Sequence, residues 1–510
     1  MRFCAGHLAT LFFLVQSCYS SPFVSPTANS TGSYVMKIKR SVGRPLLQRS
    51  VDGPHVFDPT YAVDELNGLL GKYANAEQFL SGMGLNPDAH PEKGYEPFTH
   101  PLIGALNSTN ATVTNTTRNA NATGTARPST NTTTASNSTG NATLAVSHTH
   151  FLLLPLMDDD TDQPQPIVQF PGTAQMPLTD DVAGGMDILY YGNLEFGSHG
   201  QGLTVDVDTG SADLWVPVTG CRTCGGDPFR SYDSTSYRNF GQRFSVSYGA
   251  GKVSGTLAQD LVSVGSLSVA QQAFGAVKSE SEDFYDAPSD GLLGLAFGSI
   301  AQSKQPTFFE NLMMSKQVAG GAFAVHLQRD QTVGGEVCFG CFDTTKAIGP
   351  ITWSPVVSRT YWSLELEYLA INQWQGVPAN LTAAIDTGTT LIYVPDDVAS
   401  RLYALIPGSK HAAQYGAGFY TYPCDTPLAV TLSFGGRAYG VDPADFNLGR
   451  TSAESPDCVG GILALGQGFP DNLAIIGDEF LKSWYSIYDY PGNRVGFALS
   501  VNNKDSPDSP

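Results

Sequence analysis

At 510 residues the chain exceeds a usual single domain, so two or three compact units with accessory segments are expected. It is 41% hydrophobic and 11% aromatic but only 15% charged, with a formal net charge of −19, which argues against nucleic acid or an anionic membrane surface as a partner. The plain meaning of the acidity is solubility; a sharper one is acidic surroundings, where protonated carboxylates repel one another less.

In chain order, Arg2, the apolar run Leu8 to Val15 and the small residues near Cys18 and Ser20 read as a cleaved secretory signal over residues 1–20. Beyond it no stretch approaches the roughly 20 apolar residues of a membrane span, so a secreted, extracellular protein without membrane contact is expected. Met36 to Ser50 holds five basic residues and no acidic one. Tyr61 to Met83 spaces Leu66, Leu69, Leu70, Tyr73, Phe79 and Leu80 as helices do and predicts one or two short ones. Residues 105–148 are an Asn/Thr-rich tract with seven Asn-x-Ser/Thr sequons, from Asn107 to Asn141. Such a composition cannot bury a core, and after a signal peptide it predicts a glycosylated spacer.

From about Met176 the texture changes to short runs of Val, Ile, Leu, Tyr and Phe broken by Gly, Pro, Asn and Asp, which predicts a mainly β structure. This part repeats itself. An apolar run enters Asp208-Thr209-Gly210-Ser211 and is followed by Leu292-Leu293-Gly294; a second enters Asp386-Thr387-Gly388-Thr389 and is followed by Ile475-Ile476-Gly477. Two similar halves are implied, each with one Asp at the mouth of a buried strand. After Cys4 and Cys18 leave with the signal, Cys221, Cys224, Cys338, Cys341, Cys424 and Cys458 remain, and disulfides are the default in an oxidising compartment. The two Cys-x-x-Cys pairs lie far apart without the flanks of a zinc or redox site, so no metal and no cofactor is expected.

One Asp-Thr-Gly is an ordinary turn; two on a pseudo-twofold axis would bring two carboxylates within hydrogen-bonding reach, where both cannot easily ionise together. One proton is then shared. The ionised member can take a proton from water while the protonated one donates to a substrate carbonyl, so an amide is hydrolysed without a covalent intermediate. Gly210 and Gly388 would let the backbones approach, Ser211 and Thr389 would serve the outer carboxylate oxygens, and Thr209 and Thr387 would reach across the twofold.

These residues resemble the pepsin family of aspartic proteases over about Tyr190 to Val501. The run Asp208 to Pro217 resembles the first active-site segment, Ser247-Tyr248-Gly249-Ala250-Gly251 the flap hairpin, Asp290 to Leu295 the following strand, and Tyr361-Trp362 the crossing between lobes. Ile385 to Thr390 resembles the second active-site segment, and Ile476-Gly477-Asp478 with Val495 to Ala498 the ending. The resemblance implies a bilobal double β-barrel with its cleft between pseudo-twofold lobes. It implies Asp208 and Asp386 as catalytic pair, and substrate contacts from Tyr248, Gly249, Gly251, Trp215, Gly210, Gly388 and Thr389. It implies disulfides Cys424–Cys458 and Cys221–Cys224, leaving Cys338 and Cys341 unassigned. Ala250 stands where some fungal relatives carry an Asp that receives Lys before the scissile bond, so hydrophobic residues are expected there instead.

The expected organisation is a signal peptide (1–20), a propeptide (21–175) containing the spacer, an N-terminal lobe with the flap (176–350), a C-terminal lobe (351–501) and a polar tail (502–510). The expected protein is a monomeric secreted endopeptidase acting on polypeptides and held silent by its own propeptide until acidified. Basic residues of the leader would pair with the acidic body, and Lys72-Tyr73 is the candidate plug. The alternatives are a catalytically silent binding protein on the same fold and, from the sequons, a structural glycoprotein.

Overall fold

The computed structural model describes residues 55–76, 80, 91–99, 102–103 and 171–503, apart from 184, 249–250, 330–332 and 373–374. The signal, the basic stretch, the sequon tract and residues beyond 503 lie outside the described residues, as do the two flap residues Gly249 and Ala250.

Short alternating strands build the body. Along Gln201–Asp208 the apolar Leu203, Val205 and Val207 are buried while the residues between them are more open, the period of two that a half-buried strand requires. Thirteen strands join in one sheet running from Ala347–Pro355 to Arg238–Tyr248, and a separate 8-stranded sheet carries the second half. The fold is β-dominated and bilobal, as the resemblance implies.

The internal repeat is architectural. Gln201–Asp208 pairs in parallel with Gly291–Gly294, which pairs antiparallel with Leu214–Pro217. In the second half Gln375–Ile385 pairs in parallel with Leu473–Ile476, which pairs antiparallel with Ile392–Val394. Each Asp-Thr-Gly turn therefore sits beside its own apolar-apolar-Gly strand. The halves also share material: Trp484–Asp489 and Arg494–Ser500, late in the chain, extend the 13-stranded sheet next to Ala322–His326.

Trp362 anchors the junction. It is fully buried, its ring lies 4.4 Å from Phe297 and 4.9 Å from Tyr490, and its Nε1 donates to the Leu295 carbonyl at 2.9 Å. A buried ionic cluster ties the strand entering the first half to the second half: Lys482 Nζ lies 3.0 Å from Asp187, 3.3 Å from Glu479 and 3.6 Å from Asp445.

Upstream of the body, Pro59–Lys72 is an α-helix, started by Asp58, whose carboxylate accepts from Thr60 N, and by Pro59 in the first turn, where a missing N–H costs nothing. All six cysteines among the described residues are paired, as Cys221–Cys224, Cys338–Cys341 and Cys424–Cys458. Among the described residues no helix is long and apolar enough to cross a membrane, and no group of three or more His, Cys, Asp or Glu is placed to hold a metal ion.

Candidate active site

The two turns meet because their threonines cross over. Thr209 Oγ1 donates to the Ile385 carbonyl at 2.8 Å and Thr387 Oγ1 to the Val207 carbonyl at 2.6 Å, while each threonine N–H donates to the other's hydroxyl at 3.1 and 3.0 Å. Every donor and acceptor in this buried square is used, which fixes the spacing of the two strand ends. The glycines are needed for close approach: a Cβ on Gly210 would lie 2.4 Å from Asp386 Cγ, and one on Gly388 would lie 2.5 Å from Asp208 Cγ.

Asp208 and Asp386 are thus brought within hydrogen-bonding reach of each other. Gly210 N donates to Asp208 Oδ1 at 2.8 Å and Gly388 N to Asp386 Oδ1 at 3.0 Å. Thr389 Oγ1 donates to Asp386 Oδ2 at 2.6 Å. Ser211 does not repeat this on the first side, contrary to expectation: its hydroxyl is buried with no hydrogen-bond partner. The twofold is broken at this point, and a cation from outside the body engages both carboxylates.

That cation is Lys72, the last residue of the upstream helix. Its Nζ lies 2.9 Å from Asp208 Oδ1, 2.9 Å from Asp386 Oδ1, 2.8 Å from Asp386 Oδ2 and 3.3 Å from the Gly388 carbonyl, and its side chain is only 6% exposed. Tyr73 OH donates to Asp386 Oδ2 at 3.0 Å, and its ring packs 4.8 Å from Tyr361. Burial pushes Asp208 up, as does Asp386 beside it, to about 6 in spite of Lys72. For Asp386 burial pushes the same way, but Lys72 and the hydrogen bonds from Asp208 and Thr389 prevail and hold it below the usual carboxylate range.

The flap strands Arg238–Tyr248 and Gly251–Val264 pair with Tyr248 opposite Gly251. Tyr248 OH accepts from Trp215 Nε1 at 2.9 Å, and Phe284 packs edge-on to both rings. With Leu292 these residues make an apolar cluster. A cavity of about 290 Å³ remains between flap and plug, lined by Lys72, Ser211, Ala212, Tyr248, Ile300 and Tyr361 among others.

Three participants escaped the sequence reading. Phe284 had no motif around it. Glu65, half-buried two helical turns before Lys72, accepts from Thr390 N and Leu391 N, and Tyr393 OH donates to it at 2.6 Å. Asp206, in the first active-site strand, keeps Oδ1 without a hydrogen-bond partner; burial and then Asp208 push its carboxyl up. Strand alternation puts Asp206 on the same side as Asp208, a signal that was available.

A profile described as "Eukaryotic aspartyl protease" matches residues 189–500. An "Aspartic protease" of Phaffia rhodozyma is 40% identical over 335 residues, covering 64% of this chain and 80% of the relative. The "Major aspartyl peptidase 1" of Cryptococcus neoformans is 33% identical over 353 residues, covering 64% and 71%. Human "Cathepsin D" is 32% identical over 352 residues, covering 64% and 84%. With the profile spanning more than half its length and two Asp-Thr-Gly turns meeting in one cleft, the chain belongs to the eukaryotic aspartyl protease family and is an aspartic-type endopeptidase.

Proposed function

We propose that Asp208 and Asp386 are the catalytic pair of a secreted endopeptidase made as a precursor, and that Lys72 and Tyr73 keep the precursor silent. The observation that carries this reading is the position of Lys72 Nζ, within 2.9 Å of both carboxylates. With Lys72 withdrawn, the pair shares a proton and holds a water between its members. The ionised carboxylate takes the water proton as oxygen attacks the peptide carbonyl, and the protonated one donates to the carbonyl oxygen. Tyr248 closes over the substrate from the flap, with Trp215 holding its hydroxyl.

One chain supplies both halves of the site, which supports a monomer. Three disulfides, the leading apolar segment and the sequons support export. The silent-binding-protein alternative finds no support in a site that keeps both carboxylates and their bonding partners. Either Asp208→Asn or Asp386→Asn should be secreted normally yet lose all measurable hydrolysis of a denatured protein. Substantial activity in either purified mutant would sink the assignment.

Docking of the plug is linked to protons with a definite sign. Asp386 is held low in the docked state, so its contribution is full above the ordinary carboxylate range and is lost as pH falls through its depressed value. Asp208, pushed up to about 6, takes its proton first on acidification, but a group raised in the docked state does not weaken docking, so release rests on Asp386. Lys72 itself is raised by the two carboxylates against the effect of burial, so it stays charged throughout this range. Lys72→Gln should therefore remove most of the latency. At pH 5.5 the uncleaved mutant should turn over a peptide at least about tenfold faster than the uncleaved wild type, since one decade needs only about 1.4 kcal/mol; equal rates would refute the plug.

The apolar cluster of Trp215, Tyr248, Phe284 and Leu292 beside the pair favours hydrophobic residues around the scissile bond. A lysine there would lose hydration, with no carboxylate at position 250 to receive it. The ratio of kcat/KM for matched peptides with Lys or Phe before the cut should lie well below one and rise in Ala250→Asp. A wild-type ratio near one, or no response to this change, would count against this account.

A further inference from the structure

Residues 91–103 follow the plug in sequence and precede the sequon tract, and they are built into the body at places away from the catalytic pair. Tyr95 OH donates to the Val318 carbonyl at 3.0 Å and the Met313 carbonyl at 3.3 Å, and Lys316 Nζ lies 4.1 Å from its ring centre. Phe98 N donates to Asp489 Oδ2 at 2.9 Å, and the Phe98 ring packs against Trp353 and Phe342. Leu102–Ile103 pairs in parallel with Phe342–Asp343, Thr344 Oγ1 donates to the Ile103 carbonyl at 2.7 Å, and Ile103 is 7% exposed.

We infer that Pro91–Ile103 is a lasting part of the active enzyme, retained as a short non-covalent second chain after the precursor is cut on both sides of it. The inference rests on the reading of this chain as a precursor and departs from an organisation in which everything before residue 176 is discarded. Among the described residues, the segment's contacts given above involve neither Asp208, Asp386 nor the flap, and none of them requires it to leave. Removing it would uncover Phe342 and Trp353 and strip the partner from the Phe342–Asp343 edge.

The chemistry of the two docked regions also differs. The plug depends on an ammonium between carboxylates, whereas residues 91–103 hold mainly through strand pairing and apolar packing. Two of their contacts use carboxylates: Glu92 with Arg359 at 2.7 Å, and Asp489, which also receives Arg494 Nε at 2.7 Å. The cations facing the segment are thus Arg359, Arg494 and Lys316. The strand pairing, the Tyr95 hydroxyl bonds and the burial of Ile103 depend on no carboxylate.

The cut on the C-terminal side falls between residue 104 and the first strand at Ala174, a stretch that includes the sequons and Phe151-Leu152-Leu153-Leu154. A second cut falls between Tyr73 and Pro91. Without it, the anchored segment would hold Lys72 at high effective concentration beside the cleft and the plug would return at neutral pH.

The test is to secrete the full chain from a eukaryotic host, activate it with acid, isolate the active fraction by native gel filtration, and determine its chains by denaturing mass spectrometry. Two polypeptides in equal amount are expected, the smaller containing Pro91–Ile103 and lacking Lys72. Ile103→Asp should shed the small chain and shorten the half-life of activity several-fold; if that variant is not secreted, the chain composition of the wild type decides alone. An active fraction without the small chain, or with Lys72 still attached to it, overturns the inference. Activity measured on the same sample before acidification tests the precursor reading separately, so the two failures are distinguishable.

Discussion

The protein depends on one ammonium group placed between two carboxylates. Burying a lone cation or a close pair of anions is costly, yet Lys72 with Asp208 and Asp386 puts all three groups where each lowers the cost of the others. The rest of the upstream helix serves this placement. Glu65 and Lys72 are seven residues apart, two turns of helix, and so lie on one face. Glu65 grips the backbone just after the second Asp-Thr-Gly turn while Lys72 enters between the carboxylates. Buried Ala62 and Leu69 provide the packing. Under the proposed function the ammonium occupies the space a reacting water needs, so the contact that makes the buried charges tolerable is the one that would block chemistry.

Under the proposed function, proton linkage would release this arrangement in acid. Only the depressed Asp386 loses docking energy as pH falls; Glu65, raised by burial, gains it, since a group raised in the docked state binds its proton more tightly there. Opening on acidification therefore rests on the Lys72 contacts and not on Glu65. The body leans the same way. Burial pushes Asp180, Asp478 and Glu479 up, so their stabilising contribution is present at low pH and is lost as pH rises through their raised values.

Much of this was legible in the sequence because the repeated Asp-Thr-Gly is a geometric constraint. A buried strand ending in Asp, a glycine that admits the other turn, and a threonine that can cross the axis leave few arrangements, and the cross-bonded Thr209 and Thr387 are the one adopted. What stayed hidden was long-range or asymmetric. Ser211 looked equivalent to Thr389, but nothing local says that its hydroxyl will be left without a partner. Glu65 reads as a polar helix position until the helix is docked. Phe98 and Ile103 lie next to a low-complexity tract, and their partners are more than two hundred residues away. The pairing of Cys338 with Cys341 needed the strand turn between them.

The central claim is that Lys72 occupies the catalytic space of the precursor until protons remove it. The most direct measurement is calorimetric titration of the uncleaved precursor with a statine-type inhibitor, whose hydroxyl takes the place of the reacting water, across a series of pH values. No binding is expected at pH 7, with one inhibitor per chain appearing only as pH falls through the depressed value of Asp386. Equal affinity at pH 7 and in acid would show that the space between the carboxylates was never filled and would contradict the account.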